Sequence, residues 1–259
     1  MKPVNIYHCC VQKTGSQWIK AILSDDLVLK KTGLTIHTYH QHLPGKTDPR
    51  KLTERTFHQP FPGNCILTPL YMDYNSYMSI PKPACYRTFS IIRDPRDIIV
   101  SWYFSVKYSH PLMGKIPQHR EILNKVPLDE GLIYCIDYLR DYGLFAAQQS
   151  WVSEPGSDPL IKLFRFEELV NPGQQFSKLT DLFSHCHFHL SGDEIKYLMK
   201  KYSLEEMQKK AKKNQSGNQG ISHYRKGVPG DWQNYFNEKV KSAFVQHLGN
   251  LVKELGYRE

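Results

Sequence analysis

A short polar loop near the start of the chain brings together residue types that could bind an anion. Residues 13–18 read Lys-Thr-Gly-Ser-Gln-Trp; an apolar run at 4–10 predicts a buried strand before them, and apolar residues at helical spacing predict a helix over 17–29. Backbone N–H groups at a helix N-terminus, a flexible glycine and a lysine together form a seat for phosphate or sulfate. The nucleoside-triphosphatase loop has the order Gly-Lys-Ser/Thr, whereas here Lys13 precedes Gly15. The inverted order indicates an anion site for a different chemistry.

A second strand–helix junction, in the middle of the chain, adds two more candidate anion ligands. Residues 86–92 predict a strand that ends at Arg93, and Asp94 and Pro95 suit the N-cap and first turn of the helix that follows. Ser101 lies two turns along that helix. Ligands of open α/β sheets bind at the carboxyl ends of the strands. A guanidinium fork and a hydroxyl at this edge can bind one phosphate together.

The two segments resemble the sulfotransferases that use 3′-phosphoadenosine 5′-phosphosulfate (PAPS). In that family a Lys-Ser/Thr-Gly-Thr/Ser-x-Trp loop binds the 5′-phosphosulfate, and an Arg-Asp/Asn-x-x-Asp-x-x-x-Ser segment binds the 3′-phosphate. The matching stretches here are residues 13–18 and 93–101. A third stretch, Tyr-Arg-Lys-Gly-Val-Pro-Gly-Asp-Trp at 224–232, resembles the family's Arg-Lys-Gly-x-x-Gly-Asp-Trp. The resemblance extends from about residue 4 to about residue 256.

The resemblance implies a role for each matching residue. Lys13 would stabilise the charge that develops on the bridging oxygen during in-line transfer, because such reactions depend on positioning and charge stabilisation. Trp18 would stack on adenine, with a place in the core as the alternative. Leu204 replaces the family's usual Phe, and Phe166 stands where a Tyr is common. The residues expected to bind the nucleotide are Lys13, Thr14, Gly15, Ser16, Gln17, Trp18, Arg93, Ser101, Phe166, Ser203, Leu204, Arg225, Lys226 and Gly227.

The general base is where the sequence departs from the family. Cytosolic members carry a His in a Lys-Thr-His-x-Pro segment at the end of the third strand, and Pro69 stands at the matching position here. Proline cannot accept a proton. The other candidates are Asp73, just past the third strand, and His37, His40 or His42 around the end of the second strand. His40 and His42 should lie nearest the ligand edge, so we rank His40 slightly above Asp73. His40 and His42 share one face without a cysteine or an acidic cluster, so we expect no metal site.

The order of the predicted elements indicates an α/β fold. Strands are predicted at 4–10, 34–40, 64–70, 86–92 and 160–166, and helices at 17–29, 96–108, 128–152, 172–185, 193–202 and 237–255. Alternating strands and helices predict a mainly parallel central sheet flanked by helices in three layers. We expect a single domain over residues 1–259, and the resemblance implies the P-loop-kinase-like sulfotransferase fold.

Composition limits the compartment and the partners. The 259 residues carry a formal charge of +9, which favours an anionic partner, and the six cysteines show no CxxC spacing. The N-terminus has no apolar signal core, and no apolar run approaches the length that spans a bilayer. We therefore expect a soluble cytoplasmic protein with reduced thiols and no membrane partner.

Three other functions remain open at this point. A nucleotide phosphotransferase would need the Gly-Lys-Ser/Thr loop that is missing, and a nucleic-acid binder would pair basic side chains with aromatics on exposed strands. A sulfotransferase homologue that binds cofactor but is inactive stays possible because of Pro69. The resemblance favours PAPS as donor, 3′,5′-adenosine diphosphate (PAP) as product, no metal and no nucleic acid. The acceptor would be a hydroxyl or amine of a small molecule. A monomer is favoured over a homodimer, since residues 233–238 lack the family's dimer signature.

Overall fold

The computed structural model describes residues 5–43, 48–154, 156, 158–213 and 226–258. The chain divides into two compact units. The first unit comprises Met1–Arg93 and Ala146–Tyr202, and the second comprises Asp94–Phe145 and Ser203–Glu259. The sheet lies in the first unit, and the second unit is helical.

Within the described residues, five strands form one parallel sheet in the order β2-β3-β1-β4-β5. The strands are β1 (Asn5–Cys10), β2 (Thr35–His37), β3 (Cys65–Tyr71), β4 (Tyr86–Ile92) and β5 (Ile161–Arg165). Every residue of the central strand β1 is buried, as expected for a strand that is covered on both faces. The carboxyl ends of the strands therefore meet at one edge, where β1 and β4 lead into the two segments singled out above.

Helices connect and flank the strands. In chain order they are α1 (Ser16–Leu23), α2 (Asp26–Thr32), α3 (Tyr74–Met78), α4 (Pro95–Phe104), α5 (Ile116–Lys125), α6 (Leu128–Asp141), α7 (Leu144–Ser153), α8 (Phe166–Val170), α9 (Gln175–His185), α10 (Gly192–Lys201), α11 (Leu204–Lys213), α12 (Glu238–Leu248) and α13 (Leu251–Glu254). None of those in the described part of the chain combines the length and the hydropathy that a bilayer crossing needs. The predicted α/β fold with a parallel sheet flanked by helices is confirmed, whereas the single domain over residues 1–259 stays a prediction.

The predicted boundaries were wrong where a local signal ends an element early. The helix predicted over 17–29 is two helices, because the Asp25 carboxylate accepts from the N–H of Leu27 and starts α2. The helix predicted over 128–152 is also two, interrupted at Gly143 with a φ of 77°. The strand predicted over 34–40 ends at His37, and a 3₁₀ turn buries the Tyr39 ring in the aromatic core.

Candidate anion-binding site

The loop between β1 and α1 in the first unit has the backbone of an anion seat. Lys13 and Gly15 both lie in the left-handed region, with φ values of 70° and 81°, on either side of Thr14. Thr14 is buried and its hydroxyl donates to the carbonyl of Val11 over 2.9 Å, which closes the loop on itself. Gly15 is the N-cap of α1 and supplies no side-chain cap, so the first N–H groups of the helix face the loop. This concave run of N–H groups, with a lysine in it, suits a phosphate or sulfate.

Phe166, the residue that follows β5, packs against the loop. A Cβ added at Gly15 would lie 2.7 Å from Cδ2 and Cε2 of the Phe166 ring, so the ring touches the glycine backbone directly. Phe166 is the first residue of α8 and is buried. Position 15 therefore requires a glycine for two reasons: the positive φ angle and the lack of space for a Cβ beside the ring.

Arg93 binds both the loop and Phe166. Its Nη1 donates to the carbonyl of Lys13 over 2.9 Å, and its guanidinium carbon lies 4.4 Å from the centroid of the Phe166 ring. The structure thus brings together four residues that the sequence predicted for nucleotide binding: Lys13, Gly15, Arg93 and Phe166. A guanidinium held at two points costs little further entropy when it binds an anion.

The backbone of Arg93 is fixed by Gln148, which sequence analysis missed. The Gln148 side chain accepts from the N–H of Arg93 over 3.1 Å and donates to its carbonyl over 2.9 Å, and it is only 1% exposed. These two hydrogen bonds give the N–H and the carbonyl of Arg93 a partner directly after the last residue of β4. The sequence shows only a glutamine in α7, followed by Gln149 and Ser150, and this pattern does not indicate a partner 55 residues away.

Trp18 takes the core position that was its alternative. Its indole Nε1 donates to the carbonyl of Tyr202 over 2.8 Å, and the side chain is largely buried. The Tyr202 hydroxyl in turn donates to Asp25, which also pairs with Lys201 at 2.7 Å. The indole therefore ties α1 to the end of α10, while its stacking on adenine stays a prediction.

A second group that sequence analysis missed is Tyr71, the last residue of β3. Its hydroxyl lies 2.8 Å from the Ser16 hydroxyl and accepts from the Gln17 side-chain amide over 3.2 Å. Pro69, at the position of the family's histidine, is buried inside β3, and Tyr71 pairs with Cys10 of β1 at the edge. The strand thus ends one residue later than the predicted range 64–70.

The two candidate bases lie in unlike surroundings. Asp73 is buried and is the N-cap of α3: its Oδ1 accepts from the N–H of Ser76 over 3.0 Å and its Oδ2 from the Ser76 hydroxyl over 2.5 Å. His40 is exposed on the 3₁₀ turn, with its ring centroid 4.1 Å from that of Tyr39. Partial burial lowers the pKa of His40, and the positive charges of Arg55 and Lys20 lower it further. His40 therefore remains neutral near pH 7 and able to accept a proton, while both carboxylate oxygens of Asp73 are engaged.

In the second unit, α4 begins as the sequence predicted. Asp94 caps it by accepting from the N–H of Arg96 over 2.9 Å, and Pro95 occupies the first turn. The Arg96 guanidinium pairs with Asp94 at 2.8 Å and lies 3.8 Å from the centroid of the Trp232 ring. Ser101 lies on the same helix and is partly exposed. The first turn of α4 is therefore fixed by the Asp94 cap and by the contacts of Arg96.

Asp97 of α4 holds the Gly-Asp-Trp segment of the third motif. It is almost fully buried, and its two oxygens accept from the N–H groups of Gly230 over 2.8 Å and Trp232 over 2.9 Å. These contacts give the aspartate of the second motif a structural role: it joins that motif to the third.

Four predicted nucleotide ligands of the second unit lie near this segment. Lys226 donates to Asp231 over 2.9 Å, and this hydrogen bond raises the pKa of the lysine. Gly227 has a φ of 63°, and a Cβ there would lie 3.3 Å from the Leu204 side chain, so Gly227 and Leu204 are in contact. Ser203 precedes α11, and its hydroxyl accepts from the N–H of Glu206 over 3.4 Å. Arg225, predicted with them, lies outside the described residues.

The contacts of Asp97 predict a stability effect. Asp97→Ala should lower the free energy of unfolding by about 3 kcal/mol, because two backbone N–H groups lose their bonds to a buried carboxylate. Urea unfolding measures the change. Asp141→Ala removes a surface ion pair with Arg140 in the same unit and should cost less than about 1 kcal/mol. Equal effects of the two substitutions would contradict a structural role for Asp97.

Comparisons with known proteins agree on one family. A family profile described as a sulfotransferase domain matches residues 6–256. Sulfotransferase 1E1 of Cavia porcellus is 25% identical over 175 residues, which are 63% of this chain and 53% of that protein. Flavonol 3-sulfotransferase of Flaveria bidentis is 21% identical over 268 residues, covering 97% of this chain and 81% of that protein. The chain thus spans about half the length of the first relative.

Solved structures show the same fold at low identity. Mouse sulfotransferase SULT7A1 complexed with PAP superposes with a TM-score of 0.58 and 18% identity, over 98% of this chain and 86% of that one. Retinol dehydratase in complex with androsterone and the inactive cofactor PAP gives a TM-score of 0.59 and 14% identity, over 100% of this chain and 83% of that one. The profile match over nearly the whole chain, together with this shared fold, shows that the chain belongs to the sulfotransferase family.

Proposed function

We propose that this protein transfers the sulfuryl group of PAPS to a hydroxyl or amine of a small molecule and releases PAP. The observation that carries the proposal is the loop at Lys13–Gly15, which Arg93 and Phe166 hold in the shape of an anion seat. A phosphosulfate carries its charge on compact oxygens, and backbone N–H groups at a helix N-terminus bind such groups. The family membership gives that seat its chemistry.

The residues of the loop divide the work of the reaction. When bound, PAPS supplies the sulfuryl group and a phosphate leaving group. The Lys13 ammonium stabilises the charge that builds on the bridging oxygen as the bond to sulfur breaks. The N–H groups at the start of α1, with Thr14, Gly15, Ser16 and Gln17, hold the 5′-phosphate and so align the sulfur with the acceptor. Positioning and charge stabilisation are sufficient roles for a protein in such a transfer.

Binding of the 3′-phosphate by Arg93, Ser101 and Lys226 stays a prediction from the resemblance, as do Arg225 and Gly227. Arg93 is suited to it, because its guanidinium is a planar fork of N–H donors that Lys13 and Phe166 orient. The acceptor class follows from relatives whose structures contain androsterone or retinol, both small molecules. A cytoplasmic monomer stays a prediction from the sequence.

One observation favours a second candidate function, a protein that binds PAP without transferring sulfate. Asp73 uses both carboxylate oxygens to cap α3, which leaves His40 as the remaining predicted base. A weakly acidic acceptor such as an aliphatic alcohol needs a base, whereas an amine or a phenol needs little help. The two candidates therefore differ in turnover and in acceptor range, not in nucleotide binding.

Calorimetric titration with PAP, ADP and ATP tests the shared part of both candidates. PAP should bind at least about tenfold more tightly than ADP, a difference of about 1.4 kcal/mol, because only PAP carries a 3′-phosphate. Tighter binding of ATP would contradict the proposal and favour a phosphotransferase. Release of PAP from PAPS in the presence of phenol, alcohol and amine acceptors then separates the enzyme from the inactive homologue.

A further inference from the structure

The hydroxyl of Tyr71 lies against the anion loop at the carboxyl end of β3. It contacts the Ser16 hydroxyl at 2.8 Å and the Gln17 amide at 3.2 Å, so one oxygen joins the first two residues of α1. Ser16 is itself buried, whereas Gln17 is exposed. Tyr71 thus reaches the two side chains that the resemblance assigns to the 5′-phosphate.

Both ends of Tyr71 are anchored. Its backbone pairs with Cys10 of β1, and its carbonyl accepts from Nη1 of Arg55 over 2.9 Å. Arg55 is 1% exposed and pairs with Asp48 at 3.4 Å. A side chain whose backbone is fixed in this way holds its hydroxyl at one place relative to the loop.

The hydrogen-bond directions follow from the donors present. The Gln17 amide nitrogen donates, so the Tyr71 oxygen accepts from it. Either hydroxyl could donate in the bond between Tyr71 and Ser16. Because the Tyr71 oxygen already accepts from the Gln17 amide, the phenol proton is the one available for the Ser16 oxygen. The Ser16 proton would then be available to an anion bound in the loop.

We infer that Tyr71 is a positioning residue that turns the Ser16 hydroxyl into a donor for the 5′-phosphate of the bound nucleotide. The inference rests on the proposed function, since it assumes that a 5′-phosphate occupies the loop. Tyr71 does not act as a base in this arrangement: burial raises its pKa above the ordinary value, so the phenol keeps its proton.

The test compares two ligands that differ in one phosphate. Tyr71→Phe should weaken the binding of PAP by about tenfold and leave adenosine 3′-monophosphate, which lacks the 5′-phosphate, unchanged. Ser16→Ala should show the same selective loss, and the double variant Ser16→Ala/Tyr71→Phe should bind PAP no more weakly than Ser16→Ala alone. Non-additivity is expected because Tyr71 acts through Ser16.

Controls separate this role from a structural one. Tyr77→Phe makes the same change at a buried tyrosine whose hydroxyl bonds to Thr88, and it should lower the melting temperature without altering the preference for the 5′-phosphate. If Tyr71→Phe does not fold, Gln17→Ala, at an exposed position, removes the donor to the Tyr71 oxygen, and the further loss of PAP binding on adding Ser16→Ala should be smaller than in the wild type. Equal losses would mean that Gln17 acts independently of the Tyr71–Ser16 pair.

Three results would overturn the inference alone: unchanged PAP binding by Tyr71→Phe, equal weakening of both ligands, or additive losses in the double variant. Wild-type protein that binds no PAP would overturn the proposed function, and this inference with it. The wild-type titration therefore distinguishes the two failures.

Discussion

Replacing Lys13 with alanine should lower kcat/KM for sulfuryl transfer by about 10²–10³-fold, the usual cost of removing one group that stabilises charge in a transition state. PAP binding should fall much less, because the backbone N–H groups of the loop still hold the 5′-phosphate. The fold should persist, since Arg93 binds the carbonyl of Lys13 and not its side chain. Steady-state kinetics with PAPS, together with calorimetry with PAP, measure the two effects.

The left-handed backbone at Lys13 calls for a specific control. Alanine at a φ of 70° keeps the backbone strain of the wild type, whereas glycine relieves it. Lys13→Gly and Lys13→Ala should lose the same activity if the missing group is the ammonium. Lys30→Ala removes an exposed lysine from the last turn of α2 and should leave turnover unchanged. Turnover of Lys13→Ala within tenfold of wild type would exclude the lysine from the chemistry.

The parts of the site that could be predicted are those in which neighbouring residues determine the geometry. The helix start after Gly15 can be read from the residues of the loop itself. The start of α4 can be read from Asp94 and Pro95. Capping and loop chemistry are local, so the sequence shows both partners of each contact at once. The predicted positions of the two strand–helix junctions were therefore correct, whereas anion binding there stays a prediction.

Contacts between distant segments could not be predicted in the same way. Gln148 binds a backbone 55 residues away, and the ring of Phe166 touches Gly15 across an even longer separation. Phe166 has the type of an ordinary core residue, and the glutamine at position 148 does not show which group it binds. Their partners become visible only when β4, β5 and α1 are placed side by side.

The error at the end of β3 has a simple physical cause. Side chains alternate between the faces of a strand, and a shift of one or two residues in its end changes which side chain reaches the edge. The strand was predicted to end at Leu70, with Pro69 at the position of the family's histidine, whereas the structure continues it to Tyr71. The predicted strand therefore stops one residue short of the hydroxyl that lies at the loop.

Gly15→Ala should weaken PAP binding by at least about tenfold, about 1.4 kcal/mol, and should lower the free energy of unfolding as well. Two costs combine at this position. An alanine at a φ of 81° is strained, and its Cβ would lie 2.7 Å from the ring of Phe166, closer than carbon atoms approach. Relief by moving Phe166 would withdraw the ring on which Arg93 stacks at 4.4 Å, and with it the support for the carbonyl of Lys13.

Gly33→Ala is the matched control, because it carries the strain without the collision. Gly33 ends α2 with a φ of 68°, and no described atom lies within 4 Å of a Cβ placed there. Gly33→Ala should lower the free energy of unfolding, measured with urea, by about 1 kcal/mol and leave PAP binding unchanged. The double variant Gly15→Ala/Phe166→Leu should recover part of the lost stability, since leucine has no ring edge at that distance, while PAP binding stays weak because Arg93 has lost its stacking partner. If Gly15→Ala behaves like Gly33→Ala in both measurements, the ring does not shape the loop, and the seat depends on the backbone angle alone.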